Sequence, residues 1–351
     1  GRLSEAELNA TFVAQAGKPG SRPLGDAVLL QAVFDSLPAE GGRVILPAGK
    51  YDIGAATITC TKPVKLEGAG GGFTHDAGTL PGKAPTTIYS SSPTNSALVF
   101  TAPGVTLLDF AVVNTSSTDP AAGAGIEMTS GYNAHMARVT VSGFYDNIKV
   151  QWWYSPIDSC HSYDFVRYGI YMWTNTPALY DHMDCGIVNS VVSMASTMRQ
   201  SKAGIRWEGG GGLRLVGNKI NGRGQPNSPG AGGSAGSYEY ALDVCFTVPS
   251  IDLNVSANSF ANSRVALMRI TTAGGSIGTG TIVGNLFDSV VSGVGLEIGA
   301  ANGATNTLRG LTVADNEFVW MQSASAGIKV SASRGVHIGP NRWGPGVPPL
   351  I

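Results

Sequence analysis

The sequence contains little charge, since only 13% of its 351 residues are Asp, Glu, Lys or Arg. The formal net charge is −1, and no basic stretch is present that would suit a phosphate backbone. No run of about 18 apolar residues occurs, which argues against a membrane-spanning helix. These absences disfavour a nucleic-acid-binding or membrane-inserted protein. They favour neutral or weakly charged partners, among which sugars fit best.

Cysteine is also scarce. The four cysteines are Cys60, Cys160, Cys185 and Cys245. They are far apart, and no Cys/His group has the spacing of a zinc site, so neither a metal nor another cofactor is predicted. We expect buried free thiols rather than disulfides. Glycine, by contrast, is abundant at 48 residues, but it follows no G-x-y period, which excludes collagen.

The stretch from Gly25 to Ile53 predicts one amphipathic helix followed by a strand, a turn and a second strand. Asp26 is the predicted N-cap, because its carboxylate can accept hydrogen bonds from the first turn. Gly41 and Gly42 are predicted to end the helix. The predicted apolar stripe consists of Val28, Leu29, Ala32, Val33 and Leu37. A single helix before many short strands suits a cap on the open first turn of a solenoid.

The same stretch resembles a known family. The motifs that carry the resemblance are GD at 25–26, GG at 41–42, LPAGKYDI at 46–53 and VKLEGAG at 64–70. Together they resemble the opening of the pectate-lyase-like family. That family includes polysaccharide lyases, glycoside hydrolases and the depolymerase spikes of bacteriophage tails. The resemblance implies an all-β, right-handed, single-stranded parallel β-helix with an N-terminal capping α-helix, but it names no substrate.

The predicted organisation has three parts. Residues 1–24 form a lead-in segment, within which LSEAELNATFV at 3–13 resembles the lead-in of tail proteins from phages of actinobacteria. Residues 25–345 form the β-helix domain, with its cap at 25–53. Residues 346–351 form an extended tail rich in proline.

Two phrases repeat at irregular intervals after residue 97, which is typical of a β-helix whose loops vary in length. One is Gly-Ile-x-apolar or a close variant, beginning at Gly125, Asn147, Gly169, Gly204, Gly295 and Gly327. The other ends in an asparagine, at Asn218, Asn258, Asn285, Asn316 and Asn341. We predict that each asparagine adopts the left-handed conformation at a corner. The residue two positions later, often aromatic, is predicted to turn inward and stack. A leucine-rich or ankyrin array would keep a stricter period, and a sandwich would need more hairpin turns.

The segment 146–208 is the predicted functional region, because it is rich in aromatic, acidic and histidine residues. Aromatic faces bind the C–H faces of sugars, while nearby polar groups read the hydroxyls. Strand alternation forces one of Trp152 and Trp153 outward, where it would contact a sugar or another subunit. The predicted substrate-binding residues are Trp152, Trp153, Tyr171, Trp173, Arg206, Trp207 and His161.

The hydrolase hypothesis needs two carboxylates on neighbouring rungs. Aligning the rungs by their apolar residues places Ile157 over Val139 and Tyr180 over Ile157. That alignment sets Asp158 and Asp181 in one column. It places His161 and Asp184 near another. The predicted catalytic residues are Asp158, Asp181, Asp184, Glu208 and His182, with Glu208 as a substitute acid or base and His182 or Arg206 positioning the sugar.

A lyase remains the alternative chemistry. It would use His161, His182 or Tyr171 as the base, with Arg206 or Arg199 neutralising a uronate. The calcium-dependent lyases that the family includes use clustered aspartates, for which Asp181 and Asp184 are the nearest candidates. No full motif of that kind is present, so metal dependence is not predicted.

The resemblance to phage tailspike depolymerases implies a homotrimer in the virion tail that binds and depolymerises a bacterial surface polysaccharide. A tail protein that binds the glycan without cleaving it is one alternative. A secreted monomeric polysaccharide lyase is another.

Overall fold

The chain folds as a parallel β-helix, which confirms the predicted fold class. The computed structural model describes residues 25–70, 85–153, 156–173, 185–194, 201–209, 211–222, 238–247, 250–272, 277–290, 293–300, 310–319, 321, 326–331, 333, 335–345 and 347. Its strands are numbered β1 to β31 in chain order. All recorded strand pairs are parallel, and each strand pairs with its counterpart one rung along the solenoid.

Each complete rung contributes strands to three faces. Face 1 is an 11-stranded sheet. Its strands are β1 (Gly42–Leu46), β4 (Val64–Gly68), β7 (Thr106–Leu108), β10 (His135–Ala137), β13 (Pro156–Asp158), β16 (Cys185–Val188), β19 (Leu213–Val216), β22 (Ser250–Ser256), β24 (Ile277–Val283), β27 (Leu311–Ala314) and β30 (Val336–Ile338).

Faces 2 and 3 are joined by the long strand β23 (Ser259–Thr272), which contributes its first half to face 2 and its second half to face 3. The other strands of face 2 are β2 (Gly49–Gly54), β5 (Thr86–Ser90), β8 (Ala111–Asn114), β11 (Thr140–Ser142), β14 (His161–Tyr163), β17 (Val191–Ser193), β20 (Lys219–Asn221), β25 (Leu286–Val290), β28 (Glu317–Val319) and β31 (Arg342–Trp343). The other strands of face 3 are β3 (Ile58–Cys60), β6 (Leu98–Phe100), β9 (Ala124–Tyr132), β12 (Asp146–Trp153), β15 (Tyr168–Trp173), β18 (Ser201–Gly209), β21 (Tyr238–Phe246), β26 (Val294–Ala300) and β29 (Ala326–Val330).

Helix α1 (Asp26–Ser36) lies against β2 and β3 and packs its apolar side on the first rung, as a cap should. Its buried apolar side chains are Leu29, Leu30 and Phe34. The predicted stripe is therefore wrong at Val28, which is 57% exposed, and at Ala32, which is also exposed.

Two details of the helix ends also differ from the prediction. Gly25 holds the N-cap position, and the Asp26 carboxylate instead accepts a hydrogen bond from the backbone N–H of Asp52 (2.7 Å), which ties the helix to β2. The helix ends at Ser36 rather than at Gly41. Gly41 instead allows the chain to pass close to the backbone of Pro63, because a Cβ at this position would lie 2.0 Å from the carbonyl oxygen of Pro63.

The Gly-Ile-x-apolar phrase marks the interior of face 3. Its apolar second residues stand in register, rung upon rung, and are fully buried. They are Ile126, Ile148, Ile170, Ile205, Leu242, Met268, Leu296 and Ile328. Burying each such side chain contributes about 1.5–3 kcal/mol, so this column is a major part of the core.

The corner between faces 1 and 2 contains a ladder of buried asparagines. The side-chain amide of Asn258 donates to Asn285 (3.0 Å), and Asn285 donates in turn to Asn316 (2.9 Å). The ladder consists of Asn218, Asn258, Asn285, Asn316 and Asn341. The predicted left-handed backbone at these asparagines is wrong. It belongs to the preceding residue, as at Ala257 (φ 55°) and Gly284 (φ 66°), because the asparagine itself must turn its amide inward.

The predicted aromatic stack is confirmed beside this ladder. Phe260, Phe287, Phe318 and Trp343 lie on successive rungs, with ring centroids 5.4, 4.7 and 4.7 Å apart. Such offset stacking adds about 0.5–1.5 kcal/mol per pair beyond the area that is buried.

All four cysteines are buried free thiols, as predicted. Burial raises the pKa of Cys160 to about 12, so its reactive thiolate does not form near neutral pH. Within the described residues, no helix has the length and apolarity to cross a bilayer. The lead-in segment 1–24 lies outside the described residues, and the proposed domain limits stay predictions.

Candidate functional site

The outer surface of face 3 carries a row of charged and aromatic side chains. They occupy the x position of the repeated phrase, one residue after the buried column, and therefore point outward. We call this row the central column. It consists of Glu127, Lys149, Tyr171, Arg206, Asp243, Arg269, Glu297 and Lys329.

Tyr171, Arg206 and Glu208 contact one another in the middle of face 3. The Tyr171 hydroxyl donates to Glu208 Oε2 at 3.0 Å, and Arg206 Nη2 lies 3.5 Å from the same oxygen. The Glu208 side chain is 38% exposed, so its carboxylate is open to solvent and to a ligand. A carboxylate held by a phenol and a guanidinium is suited to accept a proton or to contact sugar hydroxyls.

Asp243 lies on the next rung and is held by two arginines. Arg206 Nη1 is 2.5 Å from Asp243 Oδ2, and Arg269 donates to both carboxylate oxygens at 2.8 Å. Arg269 also donates to the Tyr240 hydroxyl at 2.7 Å. Because the Asp243 side chain is only 6% exposed, it orients its arginines rather than meeting substrate.

Aromatic rings extend this surface toward the preceding rungs. The guanidinium of Arg167 lies 4.7 Å from the ring centroids of both Tyr145 and Tyr168 and 5.4 Å from that of Tyr171. Arg167 is itself paired with the buried carboxylate of Asp146. These contacts fix the tyrosine rings in place by cation–π attraction.

Trp173 lies beside the Tyr171–Glu208 pair. It is half-buried and pairs in register with Glu208. The ammonium of Lys149 lies 5.7 Å from its ring centroid. The site therefore offers aromatic surface next to a carboxylate, which is the combination that sugar recognition requires.

The Tyr171 hydroxyl is held in its protonated form. Burial raises the pKa of Tyr171, and the negative charge of Glu208 and its hydrogen bond raise it further. At neutral pH this group is a hydrogen-bond donor rather than a base.

The structure contradicts the predicted sugar contacts of Trp207 and His161. The Trp207 side chain is fully buried in the core, because it sits at an inward position of β18. His161 is 8% exposed, and its Nε2 atom lies 3.0 Å from the Ser193 hydroxyl. Neither side chain meets solvent as a substrate contact must.

The predicted rung alignment is also wrong. Ile157 pairs with Met136 and Ile187 on the neighbouring rungs, not with Val139 and Tyr180. Loops of unequal length separate the strands, so alignment by apolar residues alone chose the wrong counterparts.

Asp158 consequently lies on face 1, with Ala137 and Val188 as its in-register neighbours. The predicted column of Asp158 over Asp181 does not form, because Val188 holds that position. Glu208 belongs to face 3 and cannot substitute as the partner of Asp158.

Other predicted site residues cannot be placed. Asp181, His182 and Asp184 lie outside the described residues, in the segment that joins β15 to β16. Trp152 and Trp153 lie in β12, but their side chains are also outside the description. Their roles stay predictions.

Sequence reasoning missed Asp243, Arg269 and Arg167, and it counted Tyr168 only among the aromatic residues of segment 146–208. The first two occupy the x position of variant phrases, ALDV at 241–244 and LMRI at 267–270, in which no glycine announces the motif. Reading the x position of every phrase as one column would have found them. Arg167 and Tyr168 lie just before the phrase at Gly169, where no repeat signal exists.

Among the residues that the structure describes, no group of three or more His, Cys, Asp or Glu side chains could hold a metal ion. The described part of the site contains hydrogen bonds, charge pairs and aromatic surface.

No protein-family model matches the sequence, and no curated protein matches it. Solved structures do match. The A-module of mannuronan C-5 epimerase AlgE4 from Azotobacter vinelandii superposes with a TM-score of 0.58 at 15% identity, covering 98% of this chain and 97% of the epimerase chain.

Two other matches come from different carbohydrate-related proteins. A tailspike mutant of Escherichia coli bacteriophage HK620, in complex with a pentasaccharide, gives a TM-score of 0.64 at 14% identity, covering 95% of this chain and 62% of the tailspike. The catalytic unit of a GH87 α-1,3-glucanase from Streptomyces thermodiastaticus gives 0.52 at 12% identity, covering 95% and 66%. At these identities the matches establish a shared β-helix fold, which epimerases, tailspikes and glucanases have in common.

Proposed function

We propose that this chain binds a bacterial surface polysaccharide along face 3 and hydrolyses it. The observation that carries the proposal is the contact of the half-exposed Glu208 with Tyr171 and Arg206, beside the aromatic ring of Trp173. Aromatic surface, a carboxylate and a cation thus lie within adjacent rungs of one outer wall.

The aromatic side chains provide the sugar-binding surface. Tyr168 and Tyr171 lie with their ring centroids 5.0 Å apart, and Trp173 follows two residues after Tyr171 on the same outward side of β15. Successive rungs are about 4.8 Å apart, so a glycan lying across them would contact several rungs at once.

Hydrolysis fits the charged groups better than elimination. A lyase that used Tyr171 as its base would need a phenolate, but burial and Glu208 raise the pKa of Tyr171. Glu208 is instead the base that removes a proton from the attacking water, while a second carboxyl group donates a proton to the leaving glycosidic oxygen. We assign the second role to Asp181, with Asp184 as its substitute, because Asp158 lies on face 1.

A tail protein that binds without cleaving is the second candidate, and one observation favours it. In the described part of face 3, Asp243 is engaged by Arg206 and Arg269. Glu208 therefore has no carboxylate partner among the described central-column groups beside it. If residues 181–184 supply none, the site can read hydroxyls but cannot perform acid–base catalysis.

We place the chain in the virion tail as a homotrimer, with a secreted monomeric enzyme as the alternative. The fold likeness to the HK620 tailspike and the tail-like lead-in at 3–13 support the first assignment. The near-complete mutual coverage with the epimerase module supports the second. Light scattering separates them, since a spike should have three times the mass of its 36.2 kDa chain.

The deciding experiment is a product assay on a panel of bacterial surface polysaccharides, measuring both new reducing ends and unsaturated uronates. Reducing ends without unsaturation indicate a hydrolase. We expect Glu208→Gln to lower the rate by about 100-fold or more, because a general base of this kind contributes at least that factor. Asp181→Asn should lower it similarly.

Glu297→Gln is the matched control, because Glu297 is an outward glutamate of face 3 that lies three rungs from Glu208 and is paired with Lys329 on the neighbouring rung. It should leave the rate within about twofold of the unmodified protein. Unsaturated products, or full activity in Glu208→Gln, would contradict the hydrolase. Tight glycan binding with no product in any assay would establish the binding candidate.

A further inference from the structure

Face 1 carries a groove that the site on face 3 does not use. Its volume is about 720 Å³, and it crosses strands β13, β16, β19 and β22. We call it the face-1 groove. Its lining includes Pro156, Gly186, Val188, Asn189, Arg214 and Asn254.

An outward column of four residues runs along this groove. Pro156 pairs in register with Gly186, Gly186 with Arg214, and Arg214 with Asn254. With about 4.8 Å between rungs, the column spans roughly 14 Å. That length suits an extended ligand of several units rather than a single small molecule.

Gly186 forms the floor of the groove, because its rung has no side chain at the outward position. A Cβ added there would meet only ordinary contacts, 3.7 Å from the Arg214 carbonyl oxygen and 3.7 Å from Val188 Cγ1. The backbone at Gly186 is not left-handed. A larger residue can therefore be placed at this position to fill the groove without straining the fold.

Arg214 provides a positive charge in the groove that can pair with a ligand. Its side chain is exposed, its in-register neighbours are Gly186 and Asn254, and no carboxylate pairs with it among the described residues. On face 3, by contrast, Arg206 and Arg269 are both paired with Asp243.

The rim of the groove completes this arrangement. Asp252 also lines the groove and interacts with another residue of the chain, and no ion pair joins it to Arg214 among the described residues. Asn189 and Asn254 are exposed amides that can donate to and accept from hydroxyls. Pro156, Val188 and Val216 provide apolar surface between these polar groups.

We propose that the face-1 groove is a second glycan-binding site that takes an acidic oligosaccharide segment. The guanidinium of Arg214 pairs with the anionic substituent, and Asn189 and Asn254 read neighbouring hydroxyls. The apolar lining contacts the sugar C–H faces. The proposal requires no catalysis at Glu208, since the two sites lie on different faces.

The test is isothermal titration calorimetry of the full chain with three probes. They are a mannuronate hexamer, which carries carboxylates, sulfated maltohexaose, and unmodified maltohexaose. We expect at least one acidic probe to bind and maltohexaose to bind at least tenfold more weakly. Binding of only the uronate or only the sulfated probe identifies which anion the groove takes.

Arg214→Gln should weaken binding of the acidic probe about tenfold or more, since a charge-assisted pair is lost. Gly186→Phe should abolish it by filling the groove. Arg342→Gln is the matched control, because Arg342 is an exposed arginine of β31 with no ion pair among the described residues, and it should change affinity less than twofold.

Three results would overturn the proposal. One is equal weakening by Arg342→Gln and Arg214→Gln, which would indicate diffuse charge attraction. Another is unchanged affinity in Gly186→Phe with a folded circular dichroism spectrum. The third is no binding of either acidic probe at millimolar concentration.

Discussion

The corner between faces 1 and 2 and the outer wall of face 3 are built from the same rungs by opposite rules. At the corner, rung after rung carries the same residue, asparagine in the ladder and phenylalanine in the stack. On the outer wall the central column changes its residue type at almost every rung. The corner residues repeat because each rung packs against the next one with the same geometry and therefore favours the same side chain.

The contacts within the central column differ between its ends and its middle. Between Glu127 and Lys149, and between Glu297 and Lys329, the column forms simple opposite-charge pairs. Between these pairs lie Tyr171, Arg206 and Asp243, which form a denser network. A fold that needed only charge balance would not require this network, which lies in the middle of the column at the proposed site.

The largest expected effect is at the corner. Phe287→Ala removes a ring that is stacked on both sides, at 5.4 and 4.7 Å, and should lower the free energy of unfolding by about 3–5 kcal/mol. Urea denaturation measures this. Val28→Ala, at an exposed helix position, is the control and should cost under about 0.5 kcal/mol. A cost below about 1 kcal/mol for Phe287→Ala would show that the stack is not what holds the corner.

A smaller loss is expected on the outer wall. Asp243→Asn removes the carboxylate that neutralises Arg206 and Arg269 and should cost about 2–4 kcal/mol. The same variant should lower activity, since Arg206 also contacts Glu208. The double variant Asp243→Asn with Arg206→Gln should recover part of the stability, because one uncompensated charge is gone. Strict additivity of the two changes would contradict the network.

The asparagine ladder should show a smaller cost that depends on position. Asn285→Ala leaves partners unsatisfied on both neighbouring rungs and should cost about 1–3 kcal/mol. Asn341→Ala, at the half-buried end of the ladder, should cost clearly less. Equal costs for the two variants in urea denaturation would show that burial does not govern the ladder.

Sequence reasoning succeeded where a residue type repeats and failed where register decides. The phrase at Gly169 predicted a buried column and the asparagine at 285 predicted a corner between two sheets, and both are confirmed, because packing imposes the same residue on each rung. Asp158 was given the wrong counterpart on the next rung, since the lengths of the loops between strands cannot be read from composition.

The same limit explains the errors at single residues. Trp207 looked like a sugar-binding aromatic, and only the strand register shows that it points inward. Arg206 lies one residue earlier on the outward side of the same strand, 3.5 Å from Glu208, and its role in sugar binding stays a prediction. Successive residues of a strand point to opposite faces, so a shift of one position moves a side chain from the outer surface into the core. The composition of a segment does not show which of two neighbouring residues points outward.

The smallest expected effect tests whether the ends of the central column are only structural. Glu297 Oε1 and Lys329 Nζ lie 3.2 Å apart, but Lys329 is 44% exposed, so solvent screens the pair. Lys329→Ala should change the free energy of unfolding by less than about 1 kcal/mol, and that difference should shrink further in high salt. Activity on the polysaccharide should not change. A large loss of activity without a loss of stability would extend the site to the last rungs of face 3, because only contact with substrate would then explain the role of Lys329.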